Sequence, residues 1–164
     1  MFRIRSYREE DLAALHRINE QSTPGVGEET EATLGRFFAI AQNSFVAEDD
    51  GGQPVGFMIL MQPGTMAYPS ANLRWFEAHT EDLVYVDRVA VDASTRGAGL
   101  GAQLYHAAFA ASAARYRSIG CEVNREPPNP GSLRFHRRLG FEEVGSQVFE
   151  AGKKEVIYLQ RALP

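Results

Sequence analysis

The sequence is short of lysine, cysteine and long apolar runs, and each shortage removes a class of function. Lys153 and Lys154 are the only lysines, so nearly all positive charge rests on arginine. The formal net charge is -4. Binding to a phosphate backbone needs a basic face, so nucleic acid is excluded as the main partner. Cys121 stands alone, which excludes an intrachain disulfide and a cysteine-based metal cluster. His16, His79 and His106 show no metal-ligand spacing, and no metal is expected. No apolar stretch approaches the ~20 residues of a membrane span. The start, Met1-Phe2-Arg3-Ile4-Arg5, lacks the apolar core of a signal peptide. A cytoplasmic protein with no membrane partner is the expectation.

What is present fits a single domain over residues 1–164, long enough to bury a full core. Hydrophobic residues at 44% and charged residues at 23% are ordinary for a globular chain. Phe2 to Ser6 alternates as a half-buried strand does. A helix with Leu12, Leu15 and Ile18 follows, then a second with Leu34, Phe37 and Phe38. Two strands flank the turn Asp49-Asp50-Gly51-Gly52. Residues 62–80 read as a long irregular stretch whose aromatics, Trp75 and Phe76, meet an acceptor or cap the core. Leu83 to Val91 is an apolar strand interrupted by Asp87 and Arg88. A glycine run, a helix from about Leu100 to Arg117, a strand from Ile119 to Asn124, a short helix and two strands complete the chain.

The glycine run Arg96-Gly97-Ala98-Gly99-Leu100-Gly101 sits between a strand and a helix start. That order holds phosphate: glycines admit a close anion, and the helix N–H groups and dipole face it. Two ligands fit. Gly97 to Ala102 matches the dinucleotide pattern G-x-G-x-x-G/A, with Glu122 as the ribose acid. Against NAD, Asp92 to Arg96 separate the glycines from the strand, and too little chain follows for a second half-fold.

The same residues resemble the GNAT superfamily of N-acetyltransferases. Arg96, Gly99 and Gly101 meet its motif Gln/Arg-x-x-Gly-x-Gly/Ala, after the strand end Val89-Ala90-Val91-Asp92. Asn129 to Phe141 resembles the family's N-x-x-(A/S)-x-x-F-Y-x-x-x-G-F. The resemblance implies an α/β (α+β) acyl-CoA N-acyltransferase fold. Its sheet is mixed and mostly antiparallel, flanked by helices, with a splayed fourth/fifth strand pair. It implies acetyl-CoA or coenzyme A as cofactor and direct transfer to a primary amine. Val89, Ala90 and Val91 would bind the pantetheine arm. Arg96, Gly97, Ala98, Gly99, Leu100, Gly101 and Ala102 would take the pyrophosphate, with Asn129 and Ser132 lining the groove.

His136 departs from the family, which often has tyrosine there as the acid toward sulfur. Histidine can carry that proton, and it can equally be a packing residue. Glu122 is the leading base, with a structural ion pair to Arg88 or Arg125 as the alternative and Asp87 as the other carboxylate. Arg134, Arg137 and Arg138 could reach the cofactor's 3′-phosphate. Trp75, Phe76 and Asp87 are the expected acceptor contacts. The acceptor is a small-molecule or peptide amine, and a homodimer is open by analogy alone. A catalytically silent CoA-binding regulatory module is the rival reading.

Overall fold

The computed structural model describes residues 1–164 and holds seven strands and five α-helices. In chain order these are β1 (Arg3–Arg5), α1 (Leu12–Gln21), α2 (Glu31–Ile40), β2 (Asn43–Glu48), β3 (Pro54–Met61) and α3 (Ala71–His79). The second half holds β4 (Leu83–Val91), α4 (Leu100–Ser112), β5 (Ser118–Glu126), α5 (Pro130–Arg138), β6 (Glu142–Phe149) and β7 (Lys154–Ala162). One sheet runs in the order β1-β2-β3-β4-β5-β7-β6. Every pairing is antiparallel except β4 with β5.

Local chemistry starts and ends the helices. Thr30 and Ser70 cap α2 and α3 by accepting the N–H of Thr33 and Leu73. Asn129 does the same for Ser132 on α5, where Pro130 fills the first turn. Gly140, at φ +90, ends that helix. In the β2–β3 hairpin, the Asp49 carboxylate accepts the N–H groups of Gly51 and Gln53, each at 2.9 Å.

Two apolar layers cover the sheet. On one face Leu15, Ile18, Leu34, Phe38, Leu73 and Phe76 pack against Phe57, Ile59, Tyr85 and Tyr158. On the other, Leu100, Leu104, Tyr105, Ala108 and Phe109 of α4 pack against Met58, Val84, Ile119, Leu159 and Cys121. The sequence reads Leu104, Ala107, Ala108 and Ala111 of α4 as a small-residue side against the sheet; instead Tyr105 and Phe109 go to the sheet and Ala111 is exposed. The helix is also shorter than expected. A turn after Ser112 reverses the chain, and the N–H groups of Arg115 and Tyr116 both bond the Ser112 carbonyl.

The reading of 62–80 as irregular is corrected: Ala71–His79 is a regular helix, and only the segment before it lacks regular structure. Pro69 masks the start, but Leu73 and Phe76, three residues apart, are fully buried on one side. Gly120 in β5 makes room for this packing. A Cβ there would stand 2.7 Å from Phe76 and 2.9 Å from Leu83. Gly120→Ala should therefore destabilise the fold by about 1–3 kcal/mol, read as a lower urea midpoint with an unchanged slope.

Candidate active site

The parallel pair is where the sheet opens. β4 and β5 are matched only at Leu83↔Ser118, Val84↔Ile119 and Tyr85↔Gly120. Beyond these, residues 86–91 stay on β3 and residues 121–126 stay on β7, so a slit forms between two otherwise paired strands. A bulge begins there. Leu60 faces Val86 and Ile59 faces Arg88, which leaves Asp87 without an opposite residue. Alternation therefore slips by one. Asp87 and Arg88 both reach the α1–α3 side, where Asp87 accepts from the Tyr68 hydroxyl and Arg88 donates to Asn19 at 2.9 Å.

Beyond the open end of β4 lies the glycine turn. Gly97 and Gly99 hold φ +82 and +79, and nothing would lie within 4 Å of a Cβ on either. The N–H groups of Gly97, Gly99, Leu100, Gly101 and Ala102 find no acceptor within the chain. They border a cleft of about 430 Å³ completed by Arg96, Phe135, Arg138 and Leu139. Ala98 lies outside that wall, its N–H on the Thr95 carbonyl at 3.4 Å. Arg96 donates to the carbonyls of Gln21 and Val91, at 3.2 and 3.4 Å, and pairs with no carboxylate. An adjoining cleft of about 530 Å³ is walled by Val89, Ala90, Val91, Asn124 and Asn129, with Ser22 to Gly25 opposite. Apart from Ala98, the expected pantetheine and pyrophosphate residues thus border one continuous stretch, with Val91 and Arg96 shared by both clefts.

Inside the slit is a cavity of about 150 Å³ that brings together Glu122, His136, Asp87, Ser132, Asn129, Tyr105 and Cys121. Glu122 makes neither of the expected ion pairs. Arg88 instead bonds Asp87 at 2.7 Å and Glu29 at 3.2 Å, and Arg125 bonds Glu143 and Glu155. The Tyr85 hydroxyl donates to Glu122 at 2.6 Å. Burial pushes the Glu122 carboxyl up to about 7, with Tyr85 opposing the rise and Asp87 adding to it. Burial also raises Asp87, against the pull of Arg88.

His136 sits on the opposite wall and is buried. Its Nδ1 lies 2.8 Å from the Ser132 carbonyl, and its Nε2 lies 2.7 Å from the Tyr105 hydroxyl. The carbonyl can only accept, so Nδ1 carries the proton and Nε2 accepts from Tyr105. Burial lowers the imidazole's pKa and so favours the neutral ring, while the Ser132 bond opposes the shift. Burial drives the Cys121 thiol well above its usual range, so it offers no nucleophile.

A further pocket of about 230 Å³ opens on the α1–α3 side of Glu122. Asp87 lines it, with Tyr68, Ser70, Asn72, Tyr85, Lys154 and the segment Pro24 to Gly27. The other two expected acceptor contacts fall elsewhere. Phe76 has no exposed surface, so it serves the core, and Trp75 is stacked between Tyr158 at 4.1 Å and His79 at 4.0 Å. Glu122 borders neither cleft beside residues 96–102, which removes it as a ribose acid for a dinucleotide. Tyr85, Tyr105 and Lys154 were not singled out from the sequence. The strand register would have found Tyr85, because it shares a sheet face with Glu122.

The family model described as the acetyltransferase (GNAT) family matches residues 12–141. The chain belongs to that family. The GNAT assignment agrees with the mixed sheet, the parallel β4–β5 pair and the flanking helices. Solved structures share this fold. The ribosomal-protein-alanine N-acetyltransferase from Brucella melitensis is 22% identical with a TM-score of 0.75, over 98% of this chain and 99% of that one. Ard1 from Thermoplasma volcanium is 18% identical with a TM-score of 0.79, over 99% and 98%. A phosphinothricin acetyltransferase from Sinorhizobium meliloti, solved in complex with AcCoA, is 22% identical with a TM-score of 0.75, over 99% and 88%. No curated protein matches the sequence. No helix of this GNAT chain is long and apolar enough to cross a membrane.

Proposed function

We propose that this chain is an N-acetyltransferase that moves an acetyl group from acetyl-CoA to a primary amine in a direct ternary complex. One observation carries the reading: the slit between β4 and β5 joins a turn of unpaired N–H groups to a buried carboxylate. The cofactor's shape fits what borders it. Open glycine space and free amides suit a pyrophosphate, Arg96 and Arg138 offer unpaired charge, and Val89 to Val91 border a cleft suited to an extended arm.

Acetyl-CoA supplies an activated thioester when bound. The residues then divide the proton work across the sheet. Glu122, as carboxylate, takes a proton from the incoming ammonium onto Oε2 or Oε1, which frees the amine lone pair for attack. Tyr85 fixes the orientation of that carboxylate through its hydroxyl. Asp87 and Arg88 hold each other in the pocket wall and leave Glu122 as the carboxylate not engaged by an arginine. On the other wall, His136 and Tyr105 form the polar group assigned to the departing sulfur, with Ser132 locking the ring. Because both ring nitrogens are engaged, a silent CoA-binding module is the second reading.

Differential scanning fluorimetry with coenzyme A, acetyl-CoA, NAD and NADP tests the cofactor half. The melting temperature should rise with both CoA ligands and stay unchanged with the nucleotides. A rise with NAD alone would overturn the reading. Thiol release in the presence of an amine panel then separates the enzyme from the silent module.

A further inference from the structure

The acceptor-side pocket carries one charge that the transfer chemistry leaves unused. Two basic side chains line it, Arg88 and Lys154. Arg88 is buried, paired with Asp87 and Glu29, and set over the Phe37 ring at 5.2 Å. Lys154 makes no ion pair, and its Nζ stands 6.0 Å from the Phe149 ring centroid. The adjacent carboxylate, Glu155, is turned to Arg125, and Arg125 also holds Glu143. Lys153, the only other lysine, is exposed.

Strand register sets Lys154 against the base. Glu122 is matched with Tyr158 across β5 and β7, and Lys154 lies four residues earlier on the same side of β7. At about 3.3 Å per residue Lys154 lies roughly 13 Å along β7 from the residue opposite Glu122, and both side chains line the same pocket. The walls between them carry the hydrogen-bonding groups Ser70, Asn72, Tyr85 and Asn124 beside the apolar side chain of Val156. At about 230 Å³ the space lies below the range of ordinary drug-sized sites, so the occupant is small. The segment Pro24 to Gly27 and Tyr68, bonded to Asp87, border the pocket on its outer side.

We propose that the acceptor is a small amine that also carries an anionic group of the carboxylate or phosphonate class. Glu122 receives the amine end and Lys154 holds the anion. The proposal rests on the acyl-transfer reading and names the substrate class of that same site. A zwitterion of this kind supplies an ammonium to the carboxylate and a partner to the free lysine at once.

The test uses the full chain with glycine, 4-aminobutyrate and 2-aminoethylphosphonate, set against glycinamide, butylamine and putrescine. Acetylation of the anionic amines should exceed that of the uncharged and dicationic ones by about tenfold or more in kcat/KM. Lys154→Glu should raise KM for the anionic amines by a similar factor, whereas Lys153→Glu, with the same net charge, should not. The carboxylate and phosphonate arms show which anion is preferred. Better turnover of butylamine or putrescine, or an unchanged KM in Lys154→Glu, would overturn the proposal. Calorimetry of 2-aminoethylphosphonate and 4-aminobutyrate on the protein–CoA complex gives a second readout without turnover. Binding to wild type that is lost in Lys154→Glu, with no amine acetylated, would keep the anion subsite and sink the acyl-transfer reading. If neither anionic probe binds nor is acetylated, the anion subsite falls.

Discussion

Glu122→Gln should lower kcat by roughly 10²–10⁴-fold while leaving the thermal response to coenzyme A intact. The substitution keeps the size of the side chain and an oxygen for the Tyr85 hydroxyl, so the slit retains its shape. It removes only the capacity to take a proton. The pH profile gives the stronger test. Because burial pushes the Glu122 carboxyl up to about 7, it is mostly protonated below that pH and unable to act as a base. In wild type kcat/KM should rise as pH increases through about 7, and the variant should lack that step. A variant that keeps both the rate and the step would move the base to another residue, with Asp87 next in reach.

Gly99→Glu should abolish stabilisation by coenzyme A. With ligand at 100 times its Kd, wild type gains about 2.7 kcal/mol, or roughly 5–10 °C in melting temperature for a chain of this size. In the variant a side chain must adopt φ +79 and set a carboxylate where the anion belongs. Left-handed strain alone costs about 1–2 kcal/mol. Gly52→Glu separates the two effects, since Gly52 has φ +78 and equally open space but lies in the β2–β3 hairpin. Both variants should melt earlier than wild type, and only Gly52→Glu should keep the shift with coenzyme A. Loss of the shift in both would mean that the fold, rather than the cradle, was damaged.

The parts legible in the sequence are those whose chemistry is local. The glycine turn declares itself because positive φ, free amides and a helix start are all properties of adjacent residues. The capped α5 is legible for the same reason, through Asn129 and Pro130. Helix α3 was hidden because Pro69 sits beside its cap and its apolar residues are few. Partnerships across the sheet were harder. The bond between Tyr85 and Glu122 depends on where a parallel pair stops, and that of Tyr105 with His136 on how α4 lies over α5. Arg88 is offered from the sequence, with Arg125, as a structural partner for Glu122, but it pairs with its own neighbour Asp87, although plain alternation sets neighbours in a strand on opposite sides. The bulge at Asp87 breaks that rule, and no letter in Leu83–Val91 announces it.

A β-strand assigns each side chain to a face by odd or even position, and β4 changes parity at Asp87. Before it, Tyr85 faces the α1–α3 layer and Val84 and Val86 face α4; after it, Arg88 and Ala90 face α1–α3. Substituting a residue here alters the chemistry on one wall. Deleting Asp87 would do something different in kind: the bulge would close, Arg88 would follow Val86 in plain alternation and stay on the α1–α3 side, and its carboxylate partner would be gone. In this strand the number of residues, as much as their identity, decides which side of the sheet each one faces.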